Sequence, residues 1–349
     1  MEKVSVIILN YKQKELTVNC IKSVLVQDYK DFDIILVDNA SQDGSVELFK
    51  KEFSKNKKIK IVESRENTGY TGGNNLGYKF AKGEYVVVLN NDTIVGKNWL
   101  AELVKAIKSK KNIGAVCSHI IEKYKENLDT KGKGIASSII GYSILFKKKE
   151  KYFEPFVPSG TSFIIKRGIL KEIFPEDYFI YSEEVYLGWL LRLKGYRILV
   201  NDRSVVNHFH SAVRRSNKKL DRHFTFLGER NRIANIFIFP SAKNIIKILP
   251  IMIIGIIARN VMEIRKIPYR LYSYLWLIFN FSWAAKKRKI VQMQRKVNDS
   301  EIIRYLSCKF YEPEFFKSRA VRAFVKIMNS VLCRYCWVVR LKTREFSQD

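Results

Sequence analysis

Four polar residues follow a buried strand near the middle of the chain, and their types suit chemistry. Residues 85–89 form an apolar run rich in β-branched side chains, and Asn90, Asn91, Asp92 and Thr93 come directly after it. In an open α/β sheet, ligands bind where the carboxyl ends of the parallel strands meet loops. A carboxylate among amides at such an edge suits a divalent cation, which usually also holds substrate phosphates. The alternative is a helix N-cap, because Asp92 and Thr93 precede the apolar residues 99–100.

Two earlier strands also end in polar or aromatic residues. Tyr11 follows the strand at residues 4–9, and Asp38 follows the strand at residues 32–37. An acid at such a position can also be a turn former. On successive strands of one parallel sheet, however, these residues would line one edge together with Asp92, where a nucleotide would bind. Tyr11 would then stack on a base, and Asp38 would accept a hydrogen bond from a base N–H or a ribose hydroxyl.

The elements that would position these residues alternate between strand and helix. The sequence predicts strands at 4–9, 32–37, 58–62, 85–89, 114–117, 162–165 and 196–200. It predicts helices at 15–27, 45–53, 75–82, 99–108, 166–174 and from 179–184 to Gly195. Residues 65–74 read as a glycine-rich loop, 119–157 as an excursion of loops and edge strands, and 208–211 as a polar segment. This alternation indicates an α/β protein with a mainly parallel sheet covered by helices.

The net positive charge is densest in the last third of the chain, because acidic residues are fewer there. The 349 residues carry a formal net charge of +29, and residues 236–349 hold 22 Lys and Arg against 7 Asp and Glu. The composition therefore predicts an α/β domain over 1–235 and a basic, helical region over 236–349. Such a charge attracts polyanions, which are either nucleic acid or an acidic membrane surface.

Two apolar runs in this region favour membrane contact. Residues 245–258 and 271–285 are flanked by basic clusters. As helices they would be roughly 21–23 Å long, shorter than the roughly 30 Å of a bilayer core. We therefore expect helices in the interface of an anionic membrane or a shallow re-entrant pair, with an ordinary helical subdomain packed on the sheet as the alternative. The five cysteines predict no disulfide framework and no zinc site, which fits a reducing compartment. We also expect no signal peptide before Val4.

The order and spacing of several motifs resemble those of family 2 glycosyltransferases, over roughly residues 3–211. The motifs are VIILNY at 6–11, VDNASQDGS at 37–45, NTGYTGGN at 67–74 with Gly77, LNNDT at 89–93, Ser159-Gly160 and SEEV at 182–185. The resemblance is greatest to the branch that builds surface polysaccharides, including rhamnosyltransferase-like members. It implies the nucleotide-sugar-binding glycosyltransferase A (GT-A) fold.

The resemblance also implies a role for individual residues. The residues expected to hold the nucleotide sugar are Tyr11, Asp38, Asp43, Arg65, Asn67, Gly69, Gly72, Asn74, Asn91, Asp92 and Gly160. Asp92 corresponds to the last acid of the family's metal-binding Asp-x-Asp motif, whose first acid is Asn90 here. His208 is expected to complete the shell of Mn²⁺ or Mg²⁺ and is preferred to His210 by position.

Glu184 falls on the family's general base, which takes the proton from the attacking hydroxyl in an inverting transfer. The alternative for Glu183 and Glu184 is a helix start, where the helix dipole favours acids. Tyr186 stands where the family commonly has a second Asp. The implied partners are a nucleotide-diphosphate sugar, a glycan or lipid-linked saccharide acceptor and an anionic membrane, at the cytoplasmic face of the cell membrane.

Three other readings remain open from the sequence. The net charge and 18 tyrosines suit a nucleic-acid-binding protein, although the charge lies beside apolar runs and no RNA-binding motif is present. A nucleotidyltransferase also has acids at strand ends, but it would carry a glycine-rich phosphate loop after the first strand. A non-catalytic family member is the third, because Asn90 and Tyr186 replace acids.

Overall fold

The computed structural model describes residues 2–122, 133–147, 154–209 and 218–346. The strands are β1 Val4–Asn10, β2 Phe32–Asp38, β3 Ile59–Glu63, β4 Tyr85–Asn90, β5 Thr93–Val95, β6 Ile113–Glu122, β7 Lys133–Ser137, β8 Ser143–Lys147, β9 Ser162–Lys166 and β10 Arg197–His208. The helices are α1 Lys14–Leu25, α2 Ser45–Phe53, α3 Gly69–Phe80, α4 Trp99–Lys108, α5 Glu183–Leu193, α6 Lys218–Ile238, α7 Ala242–Met262, α8 Ile267–Phe279, α9 Phe281–Gln292, α10 Asp299–Ile303 and α11 Arg319–Val338.

Eight strands form one mixed sheet in the order β3-β2-β1-β4-β9-β6-β10-β5. The pairs β3-β2, β2-β1, β1-β4 and β6-β10 are parallel. Strand β9 runs antiparallel between β4 and β6, and β5 is antiparallel to β10. Strands β7 and β8 form a separate antiparallel pair within the predicted excursion. The sheet is therefore mainly parallel, as the sequence predicts.

Both faces of the sheet are covered, which explains why its strands are apolar throughout. Along β1, the side chains of Val6 and Ile8 join a core that includes α1, α2 and α4. Ile7 points the other way, into a core that includes α3, α5 and the C-terminal helices. The two-residue repeat of a strand thus divides one apolar run between two cores.

The C-terminal helices pack on the eight-stranded sheet and share its second core. Buried residues of α6 to α11 belong to that core: Ile233, Ile251, Leu277, Val291, Ile302 and Leu332. A domain boundary at residue 235 would fall inside α6, which runs to Ile238. One side of these helices therefore packs on the sheet, as the alternative of a helical subdomain predicts. Helices α7 and α8 also expose many apolar side chains.

Two local predictions are wrong. The glycine-rich segment at 65–74 is not a loop throughout, because α3 begins at Gly69 and ends at Phe80 instead of spanning 75–82. The helix predicted at 166–174 is absent from the described residues there. Gly168 has a φ of +86°, and the Asn75 side chain bonds to the backbone of Ile173 and Phe174, which replaces helical hydrogen bonds.

Two strands are longer than predicted, and two cysteines form a disulfide. Strands β6 and β10 extend well beyond 114–117 and 196–200, so that His208 ends a strand and does not lie in a polar loop. Cys308 and Cys333 form one disulfide, with Cα atoms 4.9 Å apart, which the expectation of no disulfide framework did not include. These two cysteines are 25 residues apart in the sequence, and the packing of the fold brings them together. His210 lies outside the described residues.

Candidate active site

The ends of three neighbouring parallel strands place the predicted donor-binding residues along one edge. Asn10 is in register with Asp38 across β1 and β2, and Leu9 is in register with Asn90 across β1 and β4. Asp38 ends β2, Tyr11 follows β1 and Asp92 lies just after β4, and these three strands are neighbours in the order β2-β1-β4. The proposed convergence of these strand ends is present in the structure.

Asp38 organises the turn after β2. Its side chain is buried and accepts hydrogen bonds from Asn10 Nδ2 at 2.7 Å, Ser41 N at 3.0 Å and Ser41 Oγ at 2.6 Å. Asp38 also lines a pocket of about 290 Å³ together with Asp43 and Arg65. Tyr11 is 36% exposed beside this turn. These residues form a polar recess next to an accessible aromatic ring.

The predicted donor-binding residues of the glycine-rich segment make contacts within the chain, in close packing and in turns. Gly69 has a φ of +71°, and a Cβ there would collide with the backbone oxygen of Phe179. A Cβ at Gly72 would collide with the side chain of Thr68. Asn67 Oδ1 accepts from Gly69 N at 2.9 Å, and Asn74 Nδ2 donates to Tyr70 O at 2.8 Å. The structure thus gives these residues contacts within the chain, and their role toward a donor stays a prediction.

Asn91 is tied back to the end of β1. Its Nδ2 donates to Thr17 Oγ1 at 2.8 Å, and that hydroxyl donates to Asn10 Oδ1 at 2.8 Å. This chain of side chains connects the ends of β4 and β1. Asn91 therefore holds the edge together beside Asp92.

Asp92 and His208 lie side by side, although 116 positions separate them in the sequence. His208 Nε2 is 3.2 Å from Asp92 Oδ1, and His208 Nδ1 is 3.1 Å from Glu122 Oε2. Burial alone lowers the pKa of His208, but its hydrogen bonds to the two carboxylates outweigh burial and raise the pKa to about 9. The sequence reasoning missed Glu122, because it ended the strand at residue 117.

This arrangement fits a divalent cation held by few protein ligands. Imidazole and carboxylate are both ligands for Mn²⁺. A carboxylate on the far ring nitrogen, as Glu122 provides, fixes the orientation of a metal-binding histidine. No three His, Cys, Asp or Glu side chains surround one point in the described parts of the chain. Asp92 and His208 would therefore hold a cation jointly with oxygens of the substrate and water.

Glu184 lies at the start of α5 and faces a second pocket. Its Oε1 accepts from Gly160 N at 2.6 Å, and Tyr70 donates from its hydroxyl to Gly160 O at 2.8 Å. Burial raises the pKa of Glu184 to about 7, which its hydrogen bond from Gly160 only partly offsets. A carboxyl group with a pKa near neutrality suits a general base.

The Glu184 pocket reaches the end of the central strand. It has a volume of about 290 Å³ and is lined by Asn90, Gly160 and Glu184 among others. Burial raises the pKa of Tyr70 well above its ordinary value, and the charges of Glu184, Glu183 and Asp92 add to the shift. Tyr70 is thus within electrostatic range of both the predicted base and the predicted metal ligand. It lies inside the motif at 67–74, but nothing in the sequence singled it out.

Tyr186, which replaces the family's second acid, is a core residue. Its ring packs edge-on against Tyr178 at 5.6 Å and Phe239 at 4.8 Å. The Tyr186 side chain is 9% exposed. A carboxylate at this position would be buried among aromatic rings, so the replacement fits the local packing and leaves Glu184 in place.

Known proteins share both the sequence pattern and the fold. Residues 5–174 match the family model described as Glycosyl transferase family 2. The poly-beta-1,6-N-acetyl-D-glucosamine synthase of Staphylococcus epidermidis is 27% identical over 207 residues, which are 59% of this chain and 49% of that protein. The chain therefore matches about half the length of this relative.

Two solved structures share the fold at 15% identity. GalNAc-T7 with UDP, GalNAc and Mn²⁺ gives a TM-score of 0.60, covering 78% of this chain and 55% of that chain. S. aureus TarS 1-349 in complex with UDP-GlcNAc gives 0.54, covering 97% and 90%. The GT-A fold expected from the sequence is confirmed, and residues 5–174 form a domain of glycosyl transferase family 2.

Proposed function

We propose that this protein is an inverting glycosyltransferase that moves a sugar from a nucleotide-diphosphate sugar to a hydroxyl group of a glycan or lipid-linked saccharide. The observation that carries the proposal is the placement of Glu184. Its carboxyl group has a pKa of about 7 and lines a pocket that Asn90 also lines. Asn90 directly precedes Asn91 and Asp92 at the edge of the sheet. The family 2 domain at residues 5–174 makes a nucleotide-diphosphate sugar the expected donor.

In this mechanism Glu184 accepts the proton of the acceptor hydroxyl as the acceptor oxygen attacks the anomeric carbon. The bond from that carbon to the nucleotide diphosphate breaks on the opposite side, which inverts the configuration. The Gly160 N–H holds the carboxylate at 2.6 Å and fixes its direction. Tyr11, Asp38, Asp43 and Arg65 would bind the nucleoside in the recess beside β2.

Asp92 and His208 would hold a Mn²⁺ or Mg²⁺ ion, which supplies charge neutralisation for the departing diphosphate when bound. Glu122 would orient His208 through Nδ1. Asn90 contributes an amide where the family has an acid, so the site has one carboxylate next to the cation. We expect modest metal affinity and a preference for Mn²⁺, because imidazole is a less natural ligand for Mg²⁺.

The acceptor is proposed to be a surface polysaccharide or its lipid-linked precursor. The curated relative is named as a synthase of poly-beta-1,6-N-acetyl-D-glucosamine, and TarS was crystallised with UDP-GlcNAc. UDP-N-acetylhexosamines are therefore the first donors to test. The proposal extends to the whole chain, although only part of it matches the family.

The C-terminal helices are proposed to rest on the cytoplasmic face of an anionic membrane. Helix α7 is long and apolar enough to cross a membrane, and 28% of its most apolar 18-residue segment is buried. Along α7, exposed apolar residues recur every three or four positions: Ile246, Leu249, Ile253, Ile257 and Val261. Exposed Lys243 and Arg265 flank this stripe, and Lys286 and Lys289 are exposed on α9. An apolar stripe with basic flanks suits an interfacial helix.

The deciding experiment combines binding with turnover. A panel of UDP- and GDP-sugars with Mn²⁺ or Mg²⁺ is screened for thermal stabilisation, because a ligand that binds only the folded chain raises its melting temperature. The stabilising donor is then used to compare the wild type with Glu184→Gln. We expect donor stabilisation in both proteins and sugar transfer only in the wild type. A Glu184→Gln variant with wild-type turnover would remove Glu184 from the role of base.

A further inference from the structure

The turn that leads into α5 has an unusual backbone. Phe179, Tyr181 and Ser182 have φ values of 63°, 73° and 61°, which are left-handed conformations that favour glycine. Such residues persist only when their surroundings fix them, and they concentrate at functional sites. Ser182 is the N-cap of α5, so this turn sets the position of Glu183 and Glu184.

The side chain of Asn231, on α6, donates hydrogen bonds to backbone oxygens of this turn. Its Nδ2 lies 3.1 Å from Tyr178 O, 3.1 Å from Ile180 O and 2.9 Å from Tyr181 O. Its Oδ1 accepts from Arg230 Nε at 2.9 Å, which orients the amide. Asn231 is fully buried, so its two N–H groups have these three carbonyl oxygens as acceptors and no solvent.

Asn235, one helical turn further along α6, binds both ends of the same turn. Its Oδ1 accepts from the Tyr178 hydroxyl at 2.7 Å, and its Nδ2 donates to Ser182 O at 3.0 Å. Asn235 is also buried. On the other side, Thr71 of α3 donates from its backbone N–H to Phe179 O at 3.2 Å. The turn is thus hydrogen-bonded to α3 on one side and to α6 on the other.

We infer that Asn231 and Asn235 are positioning residues that hold Glu184 in line with the acceptor hydroxyl. The inference rests on the proposed function, since it assigns these residues to the same base. It places part of the active-site support outside the matched family segment, which ends at residue 174. Helix α6, the first of the helices α6 to α11, therefore supports the geometry of the site, separately from any membrane contact of α7.

The test is steady-state kinetics of Asn231→Asp and Asn235→Asp in the full chain, with the donor identified by thermal stabilisation. Both changes keep the size of the side chain and remove its N–H donors, so no cavity forms. We expect kcat to fall about 100-fold for Asn231→Asp, because a base displaced by about 1 Å loses that much. The KM for the donor and the nucleotide affinity should stay within about twofold, since the recess beside β2 is untouched.

Asn75→Asp is the matched control. Asn75 is an equally buried asparagine that donates to the backbone of a different segment, at Phe174 O. It should lower the melting temperature without lowering kcat. Asn235→Asp keeps the bond from Tyr178 and loses only the bond to Ser182 O, so it carries the test if Asn231→Asp does not fold.

A double variant separates positioning from general structure. If Asn235 acts through Glu184, Asn235→Asp in a Glu184→Gln background should leave the residual rate unchanged. A folded Asn235→Asp protein with wild-type kcat, or the same loss of rate in both backgrounds, would overturn the inference. Wild-type turnover of Glu184→Gln alone would instead count against the proposed function, so the two failures are distinct.

Discussion

Gly160 and Glu184 are joined by a hydrogen bond in which the backbone N–H of Gly160 donates to Glu184 Oε1 at 2.6 Å. The contact requires glycine, because a Cβ at position 160 would point at that carboxylate oxygen and overlap it. Gly160 was predicted to bind the nucleotide sugar. Its position in the structure connects it more directly to the proposed base.

Gly160→Ala should therefore displace Glu184 and lower kcat about 100-fold, with little change in nucleotide affinity. Gly96→Ala is the control, because the nearest atom to a Cβ there is 3.6 Å away. Turnover and isothermal titration with the nucleotide measure the two quantities. Equal activity of the two alanine variants would show that this contact does not position the base.

Activity should depend on pH through Glu184. The base must be ionised, and burial raises its pKa to about 7. We expect kcat to fall about tenfold for each pH unit below 7. A profile that stays flat down to pH 5, measured where the protein remains folded, would contradict this assignment.

The same pKa predicts a stability effect of opposite sign. A carboxyl group whose pKa is raised on folding stabilises the folded chain fully below its ordinary pKa of 4.5, and this contribution is lost as the pH rises through about 7. Glu184→Gln should remove the dependence and gain up to about 3 kcal/mol relative to the wild type between pH 4.5 and pH 8. Urea unfolding of both proteins across this range measures the difference. A variant that gains nothing at pH 8 would show that the folded chain does not raise this pKa.

Glu122 provides a test of the metal site that does not remove a ligand. Because it accepts a hydrogen bond from His208 Nδ1, Glu122→Gln should weaken Mn²⁺ binding about 10- to 100-fold. The Mn²⁺ concentration at half-maximal donor stabilisation reports this affinity without relying on turnover. Glu102→Gln on α4 is the control and should leave it unchanged. An unaffected Mn²⁺ requirement in Glu122→Gln would argue against His208 as a ligand.

Much of the catalytic half could be predicted because its signals are local. The apolar runs of β1, β2 and β4 are buried on both faces, and the polar residues after them mark the strand ends. The pairing of Asp92 with His208 was expected from the family resemblance. Its geometry depends on the length of β10, whose last residue is His208 and which the sequence pattern ended at residue 200.

The errors arise where contacts across the fold override local preference. Glycines at 69, 72 and 73 suggest a loop, but all three lie in α3. Gly73 allows this helix to pack closely on β1, where a Cβ at Gly73 would overlap Leu9. Asn231 and Asn235 contact a turn about 50 residues earlier, which no spacing rule connects to them. The Cys308–Cys333 disulfide likewise follows from the packing of α11.

Membrane binding should depend on the exposed stripe of α7. Ile253 and Ile257 are 48% and 58% exposed and lie one helical turn apart. Replacing both with Asp removes apolar area and adds negative charge, so binding to phosphatidylglycerol vesicles should weaken about tenfold or more. Val26→Asp is the matched control, because Val26 is 59% exposed at the end of α1, in the catalytic half. Sedimentation with vesicles at low and high salt measures both contributions, since added salt screens the basic residues but leaves apolar contact intact. If the double variant sediments with lipid as well as the Val26→Asp protein does, α7 is not the membrane-binding surface and its apolar stripe must contact something else.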